Sequence, residues 1–488
     1  MPINPQIFRE YDIRGLVDKD LTEEAVRLLG RGLGTTVRRA LAAKGGGPEQ
    51  SKSRRASVAV GRDARESSVR FRDELSRGLN ESGCDVVDVG MVPTPLCYFA
   101  ANTLEVDGFA MITGSHNPPE YNGFKVGVGK STLHGGEIQE LRRLIERGDF
   151  EGGGRLGRPT GGGREAGAFE KGEGGRREHD IRAPYEKYVC ENLRLGSRRP
   201  KIVIDAGNGV GGIVAEPLFR RLGFEVTGLF LEPDGSFPNH HPDPTVTANL
   251  EDLRRKVLEL GADLGLAYDG DADRVGVIDD KGQILWGDQL MILLSRQLLS
   301  ELPGATIIGE VKCSMTLYDD IEKHGGRPIM WKAGHSLIKA KMRETGAALA
   351  GEMSGHIFFE NRWFGFDDGI YASARLLEIL SHEERPLSAL LADVPRTFIS
   401  PEIRVDCPEE KKFEVVAAVR EHFRGPGYKV VEVDGVRVTF PDGWGLVRAS
   451  NTQALLVLRF EALTEARLHE IQALIEGAVK DAMKRLIA

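Results

Sequence analysis

Residues 269–274 read Asp-Gly-Asp-Ala-Asp-Arg and directly follow an apolar run, residues 262–268. Carboxylates at alternating positions converge only at a high electrostatic cost, which a bound divalent cation offsets. Hard oxygen ligands suit Mg²⁺. A solvated acidic turn is one alternative, and a calcium loop of the EF-hand type fails because Asp280 stands where its glutamate should be. The pattern favours a magnesium site whose carboxylate ligands are Asp269, Asp271 and Asp273.

A second polar loop, residues 113–119, reads Thr-Gly-Ser-His-Asn-Pro-Pro and follows another apolar run. We expect Gly114 to allow a sharp turn, and the two prolines to prevent a helix from starting at once. This arrangement would present the hydroxyl of Ser115 as a candidate nucleophile beside His116. By itself, the segment is equally well explained as a plain turn.

Two further loops carry groups that suit a phosphorylated sugar. Residues 351–356, Gly-Glu-Met-Ser-Gly-His, offer a carboxylate, a hydroxyl and an imidazole that could bind vicinal hydroxyls. Residues 448–452, Arg-Ala-Ser-Asn-Thr, resemble a phosphate nest of guanidinium, hydroxyl and backbone N–H groups. Taken singly, a capped turn explains the first loop, and ordinary turn chemistry explains the second.

The elements that must position these loops repeat along the chain. Each repeat has two β-branched runs, then a helical stretch and a third run that opens into one polar loop. The runs are residues 57–61, 86–89 and 108–113, then 201–205, 224–227 and 262–268, then 306–309, 327–330 and 347–350. Short strands alternating with helices indicate βαβ units on largely parallel sheets, whose ligands bind at the carboxyl ends of the strands. The repeats therefore predict three polar loops at equivalent positions.

After residue 395 the pattern changes to alternating strands at 430–433, 436–440 and 455–460, and a charged helix begins at Thr464. We expect an α/β protein with three similar βαβ-type mixed α/β domains around a central cleft and a smaller α+β domain at the C-terminus. The predicted boundaries are 1–150 (serine loop), 181–284 (metal loop), 285–395 (sugar loop) and 396–488 (phosphate loop). Residues 151–180 are rich in glycine and charge and are predicted to be a flexible linker, and residues 44–55 a shorter polar insertion.

Composition narrows the class of protein. A hydrophobic content of 41% with mixed charge is typical of a globular protein. The net charge of −8 gives no support for a nucleic-acid partner. The chain shows neither an apolar run that could span a bilayer nor a signal peptide at its start, so we expect a cytoplasmic protein without a membrane partner. Five scattered cysteines without a Cys-x-x-Cys pair indicate reduced thiols.

The chain resembles the α-D-phosphohexomutase family, and within it the bacterial phosphomannomutase/phosphoglucomutase enzymes. Besides the four loops, the resemblance rests on Phe-Arg-Glu-Tyr-Asp-Ile-Arg-Gly at 8–15, Tyr-Asn-Gly-Phe-Lys at 121–125, Phe-Pro-Asn-His-His-Pro at 237–242 and Trp-Lys-Ala-Gly-His-Ser at 331–336. It covers nearly the whole length except the two polar insertions. Two departures stand out: Ala272 replaces the usual glycine, and Gln453-Ala454 follows the phosphate loop.

The resemblance implies a role for each matching residue. Ser115 would be phosphorylated, and its phosphate would join the three aspartates in binding Mg²⁺. The residues implied in catalysis are Ser115, His116, Lys125, Arg274 and His335, with Lys125 and His335 moving protons. Those implied in substrate binding are Tyr11, Arg14, Lys312, Glu352, Met353, Ser354, Gly355, His356, Arg448, Ser450, Asn451 and Thr452.

The resemblance also implies an intramolecular phosphotransferase that interconverts hexose 6-phosphate and hexose 1-phosphate, of mannose, glucose or both. The reaction would pass through a hexose 1,6-bisphosphate, with Mg²⁺ as cofactor and glucose 1,6-bisphosphate as activator. A phosphoglucosamine mutase is the main alternative, although Met353 matches the hexose type. A phosphosugar-binding protein without activity and a simple phosphatase are the others.

Overall fold

The computed structural model describes residues 3–44, 54–152, 174–425, 427–450 and 454–487. The chain divides into two compact units: residues 1–285 with 362–384, and residues 286–361 with 385–488. The predicted insertion at 44–55 and most of the predicted linker lie outside the described residues. The description of the first unit therefore begins at residue 3, and that of the second unit ends at residue 487.

The first unit begins with a seven-stranded sheet in the order β1-β5-β4-β2-β3-β7, with β6 paired to β5. Its strands are β1 (Ile13–Leu16), β2 (Ser57–Arg62), β3 (Asp85–Met91), β4 (Gly108–Ile112), β5 (Tyr121–Val128), β6 (Ser131–Thr132) and β7 (Arg176–Glu178). Its helices are α1 (Glu23–Lys44), α2 (Glu66–Glu81), α3 (Thr94–Thr103) and α4 (Gly136–Arg147). Residues 176–178 were predicted as part of the linker, and that prediction is wrong because they pair in parallel with β3.

The second sheet of this unit has five strands in the order β12-β11-β10-β8-β9. They are β8 (Lys201–Asp205), β9 (Glu225–Leu229), β10 (Leu264–Tyr268), β11 (Val275–Asp279) and β12 (Ile284–Leu285). The helices around it are α5 (Arg182–Asn192), α6 (Gly212–Arg221) and α7 (Glu251–Leu260).

The second unit contains a four-stranded sheet in the order β14-β13-β15-β16 and a six-stranded antiparallel sheet. The former consists of β13 (Thr306–Glu310), β14 (Arg327–Trp331), β15 (Leu349–Gly351) and β16 (Ile357–Phe359), with α8 (Gly287–Glu301), α9 (Met315–Lys323) and α10 (His335–Thr345). Helix α11 (Gly369–His382) follows in the chain and belongs to the first unit.

The six-stranded sheet consists of β17 (Phe398–Ile399), β18 (Ile403–Asp406), β19 (Lys429–Val431), β20 (Val436–Phe440), β21 (Gly443–Ala449) and β22 (Leu455–Ala462). Helices α12 (Lys412–His422) and α13 (Glu465–Ile487) accompany it. Its apolar side chains form a core of their own with those of the two helices, to which β20 contributes Val436 and Val438 and β22 contributes Leu456, Leu458 and Phe460. These sheets and helices confirm the predicted fold class, while the domain boundaries stay a prediction.

The three mixed sheets share one local arrangement. In each, a buried parallel strand ends in a polar loop, and the chain returns as an antiparallel neighbour of the same strand. The pairs are β4 with β5, β10 with β11, and β15 with β16. Because each pair forms a hairpin, the polar loop lies at the carboxyl end of the first strand and both of its ends are fixed by the ladder. The repeated loops of the sequence are thus three equivalent hairpin loops.

Candidate active site

The serine loop connects β4 to β5. Ser115 is 3% exposed and has a backbone φ of 49°, in the left-handed region. Its N–H donates to Oγ1 of Thr113 at 2.8 Å, and its Oγ donates to Oδ2 of Asp269 at 3.0 Å. Nδ1 of His116 lies 3.1 Å from the same Oγ. The turn expected at Gly114 is made by Ser115, and this strained conformation aims the hydroxyl at a carboxylate.

The aspartate loop connects β10 to β11. Its three carboxylates, those of Asp269, Asp271 and Asp273, are 0% exposed and bring ligand atoms within 4.8 Å of one another. Burial and the negative charges of its two neighbours raise the pKa of Asp269 well above its usual value. Ala272 has a φ of 56°, so this alanine occupies a conformation for which glycine is the usual residue.

The ammonium of Lys125, on β5, lies among these carboxylates. It donates to Oδ2 of Asp271 at 2.7 Å and also to Asp273. Burial alone would lower the pKa of Lys125, but the charges of Asp271 and Asp273 outweigh burial and raise it. Oγ1 of Thr94 is a further donor to Asp271, at 2.5 Å. One buried ammonium therefore opposes three buried carboxylates.

This donor set suits a divalent cation. Oδ1 of Asp271 is buried, and it has no hydrogen-bond partner among the residues that the structure describes. A buried carboxylate oxygen without a donor is costly, and a cation would satisfy it. Oxygen ligands of this kind are those that Mg²⁺ binds. The three aspartates could therefore hold a magnesium ion beside the Ser115 hydroxyl.

Of the other residues predicted in this unit, Arg274 lies beside this group. The backbone N–H of Arg274 donates to Oδ1 of Asp269 at 3.2 Å, and its Nε lies 3.9 Å from Oδ2. Arg14, on β1, pairs with Asp12 at 2.5 Å. Tyr11 precedes β1 and is half-buried. The guanidinium of Arg274 thus adds positive charge beside the serine–aspartate contact.

In the second unit, the loop from β15 to β16 forms a compact polar network. Oε2 of Glu352 lies 2.7 Å from Nδ1 of His356 and accepts from Oγ of Ser354 at 3.3 Å, while its Oε1 accepts from the N–H of Gly334 at 2.5 Å. Burial would raise the pKa of Glu352, but the hydrogen bond and charge of His356 outweigh it and lower the pKa to about 2. The imidazole of His335 stacks on that of His356 with ring centroids 6.0 Å apart.

The rest of this loop is shaped by its backbone. Gly355 has a φ of 92°, and its N–H donates to the carbonyl of Glu352 at 3.0 Å. The carbonyl of Met353 accepts from the N–H of Gly287 at 3.3 Å. These contacts turn the chain so that the carboxylate of Glu352 and the hydroxyl of Ser354 lie together, and the role of this loop in sugar binding stays a prediction.

Lys312 follows β13 and is paired with Glu310. Its ammonium lies 3.6 Å from Oε1 of Glu310, and its backbone N–H donates to Oε2 at 3.1 Å. Glu310 is fully buried, and burial raises its pKa although Lys312 opposes the shift. Arg437, on β20, donates to the carbonyls of Val311 and Cys313 at 2.6 and 2.8 Å. The segment that carries Lys312 is thus held from both sides.

The phosphate loop begins where β21 ends. The guanidinium of Arg448 lies 3.5 Å from Oδ2 of Asp434. The carbonyl of Ser450 accepts from Nζ of Lys412 at 2.6 Å, and Lys412 is 1% exposed. Asn451 and Thr452 lie outside the described residues. The structure thus gives the predicted phosphate loop two basic side chains at its start.

Several residues that contact the serine–aspartate group of the first unit, or the polar loops of the second unit, have no role in the sequence predictions. Thr94 and Lys412 carry no motif signal, because each acts through a contact with a distant segment, at Asp271 and at Ser450. Glu310 has no motif signal either, although its partner Lys312 is only two residues away. Arg65 and Asp63 differ, since the sequence places Arg-Asp-Ala-Arg at 62–65 directly after a strand. That position was a usable signal for a functional loop.

The mixed α/β sheets, the serine held against buried aspartates and a separate group of side chains predicted to bind sugar and phosphate are typical of a phosphoryl-transfer enzyme acting on a small substrate. Comparison with known proteins agrees. Family models match residues 5–152, 183–282 and 286–398 as phosphoglucomutase/phosphomannomutase alpha/beta/alpha domains I, II and III, and residues 402–478 as the C-terminal domain.

Similar proteins match over nearly their whole length. A phosphomannomutase/phosphoglucomutase of Pseudomonas aeruginosa is 46% identical over 97% of this chain and 95% of its own. A phosphoglucomutase of Neisseria meningitidis serogroup A is 45% identical over 97% and 96%. The crystal structure of a phosphoglucomutase/phosphomannomutase family protein from Burkholderia thailandensis has a TM-score of 0.88 and 43% identity, covering 98% of both chains.

The chain therefore belongs to the phosphoglucomutase/phosphomannomutase family. It is a hexose phosphate mutase, an intramolecular phosphotransferase, as the sequence predicts. Within the described part of the chain, no helix is both long and apolar enough to cross a membrane.

Proposed function

We propose that this mutase interconverts the 1-phosphate and 6-phosphate of glucose and of mannose through a phosphoserine at Ser115. The observation that carries the proposal is the contact of Ser115 Oγ with Oδ2 of Asp269, at 3.0 Å, in a cluster of three buried carboxylates. A buried serine hydroxyl held against such a cluster is placed to carry a phosphoryl group whose charge a cation neutralises.

The first unit supplies the phosphoryl group. Asp269, Asp271 and Asp273 would hold magnesium, which supplies the positive charge that phosphoryl transfer requires. The guanidinium of Arg274 lies beside this contact and adds to that charge. His116 lies within hydrogen-bond distance of Ser115 Oγ and orients it.

The second unit supplies groups that bind the sugar phosphate. Glu352 and Ser354 would bind vicinal hydroxyls, since the carboxylate accepts and the hydroxyl both donates and accepts. Met353, Gly355 and His356 complete this loop. Arg448, with Lys312 and the segment 450–452, would bind the phosphate that is not transferred, because a guanidinium fork matches phosphate oxygens.

In the first half of the reaction, the bond between Ser115 Oγ and phosphorus breaks as a hexose hydroxyl oxygen bonds to phosphorus. The hexose hydroxyl loses its proton, and Ser115 Oγ gains one. The product is a hexose 1,6-bisphosphate and free Ser115. After the sugar turns over, Ser115 Oγ loses its proton as it bonds to the phosphorus of the other phosphoryl group, and the sugar oxygen that leaves gains a proton. We propose Lys125 and His335 for these proton transfers, with Tyr11 and Arg14 as further substrate contacts.

The decisive test is Ser115→Ala, with the exposed Ser236→Ala as control. Intact mass and peptide mapping should show phosphate at Ser115 in the wild type and in the control, and none in Ser115→Ala. The control should interconvert glucose 1-phosphate and glucose 6-phosphate in the presence of Mg²⁺ and glucose 1,6-bisphosphate. An active Ser115→Ala variant would overturn the phosphoserine mechanism.

A second measurement addresses the substrate. Turnover of mannose 1-phosphate, glucose 1-phosphate and glucosamine 1-phosphate should be compared at equal concentration. We expect the first two to be preferred, and a clear preference for glucosamine 1-phosphate would instead indicate a phosphoglucosamine mutase. Cytoplasmic location and the absence of a nucleic-acid partner stay predictions from the sequence.

A further inference from the structure

Arg65 is a buried arginine that the reaction described above does not use. It follows β2, is 1% exposed and directs its guanidinium at the serine loop. Its Nη2 donates to the carbonyl oxygens of Ser115 at 2.9 Å and Asn117 at 2.6 Å. Its Nη1 donates to the carbonyl oxygen of Pro118 at 2.8 Å. One side chain therefore holds three carbonyls of a single loop.

Asp63 completes the arrangement from the other end of that loop. Its Oδ2 accepts from Nε of Arg65 at 3.1 Å and from the N–H of Gly114 at 3.1 Å. Its Oδ1 accepts from the N–H of Arg65 at 3.0 Å and from Oγ of Ser68 at 2.5 Å. The entry to the serine loop at Gly114 and its exit at Pro118 are thus fixed by one buried ion pair.

Arg65 is closely packed by residues from both neighbouring segments. A Cβ on Gly114 would lie 2.5 Å from Nε of Arg65, so Gly114 is needed here for the approach of the guanidinium. A Cβ on Gly235 would lie 2.5 Å from Cα of Arg65, and the ring of Phe237 lies under the guanidinium at 5.0 Å. The side chain is enclosed by residues of two neighbouring domains of the first unit.

The backbone of Ser115 needs this support. A non-glycine residue in the left-handed region is strained, and it persists only where its surroundings impose it. The φ of Ser115 is 49°, and its carbonyl is one of the three that Arg65 binds. Without the guanidinium, three carbonyls of the loop would lose a charged donor, and the loop would relax toward an unstrained conformation.

We infer that Arg65, bound to Asp63, is a positioning residue that holds Ser115 in the conformation from which its Oγ faces Asp269. The inference rests on the proposed role of Ser115 as phosphoryl carrier. Because the sugar- and phosphate-binding side chains belong to other segments, loss of Arg65 should slow phosphoryl transfer and leave substrate binding nearly unchanged. A purely structural arginine would not separate these two quantities.

The test compares Arg65→Lys with Arg362→Lys, a matched control in the same unit. Arg362 is also a forked arginine, donating to Oε1 of Glu378 at 2.7 Å and to the carbonyl of Asn192 at 3.0 Å. Lysine keeps the charge in both variants but loses the fork. We expect kcat for glucose 1-phosphate to fall about 10- to 100-fold in Arg65→Lys, with KM changed less than about threefold. The control should keep its kcat within about threefold.

A second readout does not depend on turnover. Dephosphorylated protein is mixed with glucose 1,6-bisphosphate, and the rate of phosphate gain at Ser115 is followed by intact mass. This rate should fall in Arg65→Lys and stay at the wild-type value in Arg362→Lys. If Arg65→Lys does not fold, Asp63→Asn serves instead, since it keeps the shape but weakens the hold on the guanidinium, and it should show the same lowered kcat and constant KM.

The outcomes separate the two proposals. If Arg65→Lys loses no more kcat than Arg362→Lys, or changes only KM, the positioning role is wrong while the phosphoserine mechanism stands. If Ser115→Ala remains active, the phosphoserine mechanism itself is wrong, and the positioning role falls with it. Inactive Ser115→Ala together with a selective kcat loss in Arg65→Lys supports both.

Discussion

A Cβ atom on Gly270 would lie 2.5 Å from the carbonyl oxygen of Ser115. The aspartate loop and the serine loop therefore touch through a position that tolerates no side chain. Real Cβ atoms do not approach a carbonyl oxygen so closely, so any larger residue must push the two loops apart. This contact and the hydrogen bond from Ser115 to Asp269 set the spacing between the hydroxyl and the carboxylates.

Gly270→Ala should therefore lower activity with little effect on substrate binding. Overpacking of this kind costs about 1–3 kcal/mol, and displacing a reacting group by about 1 Å can lower the rate about 100-fold. Steady-state kinetics should show kcat reduced about 10- to 100-fold. Gly136→Ala is the control, because a Cβ at Gly136 meets nothing within 4 Å. Equal kcat values in the two variants would contradict the contact.

Asp271→Asn should weaken the binding of magnesium by the aspartate cluster. The change removes one of three buried charges, and Asp271 Oδ1 is a buried oxygen without a hydrogen-bond partner among the described residues. We expect activity at least about 100-fold lower at saturating Mg²⁺, and a higher Mg²⁺ concentration for half-maximal activity. The measurement is a Mg²⁺ titration of protein first dialysed against a chelator.

The control for this variant is Glu251→Gln, an exposed carboxylate in the first turn of α7. It removes the same charge from the surface of the same unit and should leave the Mg²⁺ dependence unchanged. If Asp271→Asn and Glu251→Gln gave the same titration, the cluster would not be the metal site.

Much of the fold could be predicted from the sequence because its signals are local. The apolar runs before the three polar loops were predicted as strands, and they are β4, β10 and β15. What the pattern could not show is that the chain returns as an antiparallel neighbour, since the direction in which β5, β11 and β16 pair depends on long-range contacts. Residues 176–178 were misassigned because pairing with β3 is a long-range contact.

The candidate site, too, could be predicted from the sequence only in part. Ser115 and the three aspartates were predicted because their types and spacing imply chemistry. Ala272 was noticed only as a departure from a family pattern, and its φ of 56° gives the physical reason why glycine is usual there. Gly114 was assigned a turn, but its small size serves the approach of Arg65. Such close contacts depend on tertiary structure, which no local pattern encodes.

Arg448→Lys should weaken substrate binding more than it slows the reaction. The guanidinium lies near Asp434 at the end of β21, and its fork would bind two phosphate oxygens, whereas lysine offers a single point charge. We expect KM for glucose 1-phosphate to rise about 10-fold, with kcat changed less. Arg404→Lys, an exposed arginine paired with Glu402 in the same unit, is the control. A kcat loss without a change in KM would argue against phosphate binding by Arg448.

The pair of His240 and Asp205 should make stability depend on pH. Nε2 of His240 lies 3.1 Å from both carboxylate oxygens of Asp205, and its Nδ1 lies 3.0 Å from the carbonyl of His241. Burial would lower the pKa of His240, but the hydrogen bond and charge of Asp205 outweigh it and raise the pKa. Because its pKa is raised in the folded state, protonated His240 contributes its full stabilisation below the unfolded pKa of about 6.5. This stabilisation is lost as the pH rises through the folded pKa.

His240→Gln should thus lower the thermal unfolding midpoint more at about pH 6 than at about pH 9. The exposed His469→Gln should show no such difference, and an equal deficit of His240→Gln at both values would contradict the ion pair.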